Sequence, residues 1–109
     1  GDFKLRERKK IIDKLIKDYG FLTRKWAERL FKTFGTETTM VLTFAKKSED
    51  MGRKFGYDLT EKEVNWFIDN EFVYDAEDLI WRRTKIGLRL SKNEINALDV
   101  YIKKKLKKR

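Results

Sequence analysis

The densest mixture of aromatic and cationic groups in the chain is Trp81-Arg82-Arg83-Thr84-Lys85. Two kinds of chemistry suit it. Arg82, Arg83 and Lys85 together could form an anion site for phosphate, a lipid headgroup or nucleic acid, with Trp81 stacked on a base. The plainer reading makes Arg83 a structural clamp and Trp81 the cover on the edge of a core. In an α-helix, positions 79, 83 and 86/87 share a face, so Arg83 falls on the same inward side as Leu79, Ile86 and Gly87. A guanidinium there needs carboxylate or carbonyl partners. Residues 58–78 carry eight carboxylates against one lysine, Lys62. Glu63, Glu71 and Asp78 are the candidate partners. Glu71 is favoured, because it is expected in the middle of the preceding helix and close to its apolar stripe.

A second charged cluster closes the chain: Lys103, Lys104, Lys105, Lys107, Lys108 and Arg109. Such a run could touch anionic lipid, although it is more commonly a solvated helix end. The chain has 27 basic and 18 acidic residues, a net charge of +9. Residues 1–54 contribute +7, residues 55–102 contribute −4, and the last seven residues contribute +6. The body is therefore nearly balanced. An independent nucleic-acid binder would carry its basic groups along one exposed face, and the acidic middle argues against that.

Other chemistry is excluded by composition. There is no cysteine, so no disulfide, thiolate nucleophile or cysteine-held zinc or iron–sulfur centre. There is no histidine, so no imidazole base or metal ligand. No Gly-x-Gly-x-x-Gly turn follows a strand, and Gly52 and Gly56 are too far apart to begin one. No catalytic, cofactor-binding or metal-binding residue is expected.

The elements that must position these clusters read as helices. At 109 residues with 40% hydrophobic and 14% aromatic content, the chain can bury roughly 65% of its unfolded surface. No apolar run approaches the ~20 residues that span a bilayer, and no signal-peptide pattern is present. Proline is absent, so helices run unbroken. The first is expected over Leu5–Tyr19, with Ile11, Ile12, Leu15 and Ile16 at helical spacing and Gly20 closing it. Thr23 can cap a second, with Trp26, Ala27, Leu30, Phe31 and Phe34 inward and Gly35 at its end. Thr36 can cap a third, with Met40, Val41, Phe44 and Ala45 inward. Lys46–Leu59 reads as a loop with room for one short helical turn. Thr60-Glu61-Lys62-Glu63 is a capping box opening a helix through Val64, Phe67, Ile68 and Phe72. Asp75 caps the next helix. Ser91-Lys92-Asn93-Glu94 is a second capping box, followed by Ile95, Leu98, Ile102 and Leu106 on one side. The expected fold is all-α, a compact bundle of about six helices with no sheet. Residues 1–102 form the domain, and 103–109 a basic tail extending the last helix.

The run Asp78-Leu79-Ile80-Trp81-Arg82-Arg83-Thr84-Lys85-Ile86-Gly87-Leu88 closely resembles the C-terminal signature of FAD-dependent (aerobic) glycerol-3-phosphate dehydrogenases. The family shows a D-hydrophobic-hydrophobic-W-R-R-T-K-x-G pattern there. Glu61 to Phe72 resembles its upstream acidic-aromatic helix. Ala27 to Gly35 is similar to its A-x-R-hydrophobic…Y-G segment, with Phe34 where Tyr is usual. Gly1-Asp2-Phe3 resembles the end of the link from the FAD domain. The chain opens without an initiator Met, which also suggests a piece of something longer.

The resemblance implies a C-terminal helical cap domain, a structural or interaction module whose partner is the catalytic FAD domain of the same chain. It implies a parent that oxidises sn-glycerol 3-phosphate to dihydroxyacetone phosphate, passing electrons to FAD and then to quinone, or to oxygen in a related oxidase branch. The family's flavin site and substrate-binding groups lie in the N-terminal domain and have no matching positions here. FAD therefore belongs to the parent, not to this part. Self-association through Trp66, Trp81 and the last helix is a further expectation. The parent is expected in the cytoplasm, peripheral at the inner face of a bacterial membrane. The alternative is a basic helical domain contacting anionic lipid or nucleic acid.

Overall fold

The computed structural model describes residues 2–71 and 73–108, with the side chains of residues 2 and 3 left aside. Phe72, Arg109 and Gly1, and the side chains of Asp2 and Phe3, which carry expectations from the sequence, lie outside the described residues. The chain is mostly helical and divides into two units, residues 1–50 and 51–109.

In the first unit, α1 runs Asp2–Asp18 and α2 runs Arg24–Phe34. One face of α1 buries Ile12 and Leu15, while Ile11 stays exposed. Thr23 caps α2 as its position suggests, its hydroxyl accepting from the Trp26 N–H at 3.1 Å. Trp26, Ala27, Leu30 and Phe34 are buried along α2. Gly35 takes a positive φ of 57° at its end, and its N–H returns to the Phe31 carbonyl. Arg24 pairs with Asp13, tying α2 to α1.

The third helix departs from expectation. A single 3-10 turn, Gly35–Glu37, leads into α3, which is only Thr38–Leu42. Thr38, Val41, Leu42 and Ala45 are buried, whereas Met40 and Phe44 face solvent, Phe44 at 93% exposure. The reason lies at both ends. The Thr38 hydroxyl donates to the Gly35 carbonyl at 2.7 Å, which draws this threonine inward. Thr43 then takes a φ of 53° and stops the helix before Phe44 can follow its period. The Tyr19 hydroxyl fixes that stop by donating to the Thr43 carbonyl at 3.0 Å.

The second unit opens with a hairpin that the sequence reading missed. β1, Lys54–Gly56, pairs antiparallel with β2, Leu59–Thr60. Three and two residues are too few to display alternation, so the segment reads as loop. Gly56 and Tyr57 both take positive φ to make the reversal. The ladder is continued by the Glu61 N–H donating to the Arg53 carbonyl at 2.8 Å. α4 is Glu61–Asn70, opened by the expected capping box: Glu63 Oε2 accepts from the Thr60 N–H at 3.1 Å. Val64, Phe67 and Ile68 form its buried face. α5 is Lys92–Lys107, opened by the Ser91/Glu94 box, with Leu98 and Ile102 fully buried.

Between them, Asp78–Arg83 winds as a π-helix rather than an α-helix. The Leu79 carbonyl accepts from the Thr84 N–H, five residues on, at 2.9 Å. The architecture is thus all-α in the broad sense: the described residues form five α-helices instead of about six, and one small two-stranded sheet where none was expected.

Candidate functional site

The π-helical turn decides where the Trp81 cluster points. An α-helical repeat would bring position 83 under Leu79. The wider turn brings Thr84 there instead, and its hydroxyl also donates to the Leu79 carbonyl at 3.2 Å. Leu79, Ile80 and Thr84 are buried; Trp81, Arg82 and Arg83 turn outward. Arg83 is therefore not on the inward face, which corrects the reading from helical spacing.

Arg83 stands 3.4 Å from Glu71 Oε2 and donates to the Glu71 carbonyl at 3.4 Å. Its side chain is 39% exposed and that of Glu71 38%. Of the other two candidate partners, neither is engaged with Arg83. Asp78 lies 3.9 Å from Arg82. Glu63 is wholly buried in the capping box, accepting from both the Thr60 N–H and its hydroxyl. Arg82, Arg83 and Lys85 thus do not converge as an anion site: the two arginines turn to different carboxylates.

Thr84, Lys85 and Gly87 have distinct jobs in this turn. Lys85 takes a φ of 58°, a left-handed conformation that L-residues other than glycine seldom adopt, and reverses the chain after the π-helix. The reversal lays Gly87 under Trp81. A β-carbon on Gly87 would stand 2.6 Å from Cε2 of the indole, so only a bare backbone fits. Trp81 is held against this seat yet remains 49% exposed. The segment is anchored upstream as well. The Asp78 N–H donates to Asp75 at 2.8 Å, and the Ala76 N–H to Asp99 on α5 at 3.0 Å. Trp66, the other tryptophan expected at the surface, is partly covered and meets Phe67 edge to face.

The basic run of α5 borders a groove that sequence reasoning did not foresee. Arg53, Glu61, Ala97, Val100, Tyr101, Lys104, Lys105 and Lys108 line it, with a volume of about 470 Å³. Its floor is Tyr101, whose hydroxyl lies 3.0 Å from Glu61 and 2.7 Å from Asn65 and whose ring packs at 4.9 Å on Phe55. Lys105 sits over that ring at 5.5 Å. The Arg53 N–H, the Tyr101 hydroxyl and nearby Lys105 and Arg53 hold the Glu61 carboxyl below its ordinary range, against its own partial burial. Burial and then the Glu61 carboxylate push the Tyr101 phenol up to about 12. Lys103 is not part of the groove; it pairs with Asp99 at 2.8 Å. That contact and the Ala76 N–H hold the Asp99 carboxyl low. Arg53 and Glu61 carried no warning in sequence, because their meeting depends on the missed hairpin.

These residues do not fit a flavin. The described strands are one short antiparallel pair, and no glycine turn links a parallel strand to a helix N-terminus. Among the described residues no helix is long and apolar enough to cross a membrane.

Residues 2–104 match the family model described as the C-terminal domain of alpha-glycerophosphate oxidase. The chain is similar to an aerobic glycerol-3-phosphate dehydrogenase of Escherichia coli (strain K12), at 32% identity over 82% of this chain and 18% of that protein. It is similar to a glycerol-3-phosphate dehydrogenase of Pseudomonas aeruginosa, at 31% identity over 94% of this chain and 20% of that one. It also resembles a D-erythritol 1-phosphate dehydrogenase of Brucella abortus, at 34% identity over 70% of this chain and 15% of that protein. The chain spans about a fifth of the length of the first two of these curated relatives. The alternative of a free-standing lipid- or nucleic-acid-binding domain draws no support from these likenesses.

Proposed function

Because the chain belongs to the family of the C-terminal domain of alpha-glycerophosphate oxidase, we propose that it serves as the non-catalytic C-terminal domain of an FAD-dependent sn-glycerol-3-phosphate dehydrogenase. The match over residues 2–104 carries this reading. The parent oxidises glycerol 3-phosphate to dihydroxyacetone phosphate, with FAD as the hydride acceptor and quinone as the onward acceptor. The flavin is held by the catalytic domain of the same chain, outside these residues.

Two observations support a non-catalytic role. The segment most like the family signature, Asp78–Leu88, spends its unusual residues on shape: Thr84 closes the π-helix, Lys85 reverses the chain and Gly87 seats Trp81. The domain is also similar, at 32% and 34% identity, to relatives named for two different polyol phosphates. A domain that chose the substrate would be expected to separate them. Arg83 and Glu71 act as a clamp within the second unit, holding the turn after α4 to the π-helix.

The test is an activity comparison. The full-length protein should reduce a quinone analogue with sn-glycerol 3-phosphate, and residues 1–109 alone should neither do so nor carry flavin. Flavin binding or turnover by the 109 residues would overturn the reading. We place the parent in the cytoplasm at the inner membrane face, where Lys104, Lys105 and Lys108 could meet anionic lipid at about 1 kcal/mol per basic residue. Sedimentation of the full-length protein with anionic vesicles at low salt, and its loss when these lysines become glutamines, is the expected result.

A further inference from the structure

Resting on the reading above, we infer that the face built around Trp81, with Tyr74 and Arg82 beside it, is the surface by which this domain docks on the catalytic part of its own chain.

The face sets two exposed aromatic rings among charged groups. Tyr74 and Trp81 are among the most exposed large apolar side chains of the second unit, at 69% and 49%. Tyr74, Trp81 and Arg82 line one shallow groove of about 390 Å³ with Asp75, Glu77 and Asp78. Trp, Tyr and Arg are the side chains that dominate binding energy at protein interfaces. An indole already fixed on a glycine seat loses little conformational freedom on docking.

The backbone beneath it is unusual in three ways. A π-helix, rare in itself and frequent at functional sites, turns Trp81 and Arg82 outward. Lys85 adopts a left-handed conformation, a form of strain found at binding sites. Position 87 admits no side chain, because the indole occupies the space. Together these features present a half-exposed tryptophan on a fixed seat.

The occupant follows from the length of the relatives. The match is to a C-terminal domain, and the dehydrogenases it resembles are about five times longer. A catalytic domain tethered to this one is present at an effective concentration on the order of millimolar, above any second copy. The partner surface therefore offers an apolar socket for Trp81 and polar or charged groups for Arg82, 83% exposed and 3.9 Å from Asp78, and for the Asp75, Glu77 and Asp78 carboxylates beside it.

The test is hydroxyl-radical footprinting of the full-length holoenzyme, with its glycerol 3-phosphate oxidation measured on the same sample. Trp81 and Tyr74 should be oxidised at least fivefold more slowly than Tyr57, a comparably exposed residue of the same unit. Gly87→Ala, which lifts the indole from its seat, should restore much of their reactivity. Oxidation of Trp81 and Tyr74 as fast as Tyr57 in an active enzyme overturns the docking surface and leaves the parent activity standing. Protection that fades on dilution identifies a second copy and also overturns it. Protection in a protein without that oxidation keeps the docking and removes the proposed substrate.

Discussion

At the scale of single residues, Arg83 and Lys85 carry opposite expectations. The Arg83–Glu71 pair is more than a third exposed on both sides, so water screens it. Arg83→Ala should cost only about 0.2–1 kcal/mol, far below the several expected of a buried pair. Thermal melts should show that small loss, with Lys85→Ala costing less. Lys85→Gly should raise stability by roughly 0.5–1 kcal/mol, because glycine accepts a φ of 58° without a Cβ clash. The helical reading that put Arg83 inside counted on 3.6 residues per turn. Nothing in the residue types announced a π-helix.

Tyr101 and Glu61 set the pH response at this scale. Glu61 is held low, so its contribution is present above its ordinary carboxylate range and is lost as pH falls through the folded value. Asp99 acts in the same direction. Tyr101 is raised to about 12, so its contribution is full below the ordinary phenol value of 10.0 and lost as pH rises from there through about 12. Tyr101→Phe should cost about 1 kcal/mol at neutral pH and flatten this alkaline loss. Denaturant titrations between neutral pH and strong alkali read both effects.

At the scale of elements, the helices with side-chain grammar were legible. Thr23 and the boxes at Thr60/Glu63 and Ser91/Glu94 mark the starts of α2, α4 and α5. Their buried faces follow the expected spacing through Leu30, Phe67 and Leu98. The misread elements are those made by backbone choices that carry no pattern. Thr43, Tyr57 and Lys85 all take positive φ, and at these three places α3 stops, the hairpin turns and the π-helix ends. Phe44, at 93% exposure, shows the consequence: its spacing is right for a core that the helix never reaches. The groove on α5 was hidden for the same reason, since its Arg53 wall depends on the hairpin. The π-helix itself can be tested through Thr84. Thr84→Val removes the second donor to the Leu79 carbonyl and should cost about 1 kcal/mol. Hydrogen exchange should then show faster opening at residues 79–84 than in α4.

At the scale of the whole molecule, the charge pattern is the feature that the structure explains most directly. The basic excess lies in the first 54 residues and along the last helix, while carboxylates of the middle hold backbone N–H groups, caps and side-chain pairs. The absence of histidine and cysteine removes the commonest proton-transfer and thiol chemistry from these 109 residues. What the sequence disclosed about function came from the Asp78–Leu88 run, and the structure supplies the physical reason for its spacing: three residues from Trp81 to Thr84, one more to the left-handed Lys85, two to the glycine that seats the indole. The most direct measurement of the central claim is the anaerobic absorption spectrum of the full-length protein titrated with sn-glycerol 3-phosphate. The expected result is a bound oxidised flavin whose visible band bleaches as substrate is added. A full-length protein without flavin, or with a flavin that stays oxidised in excess substrate, would contradict it.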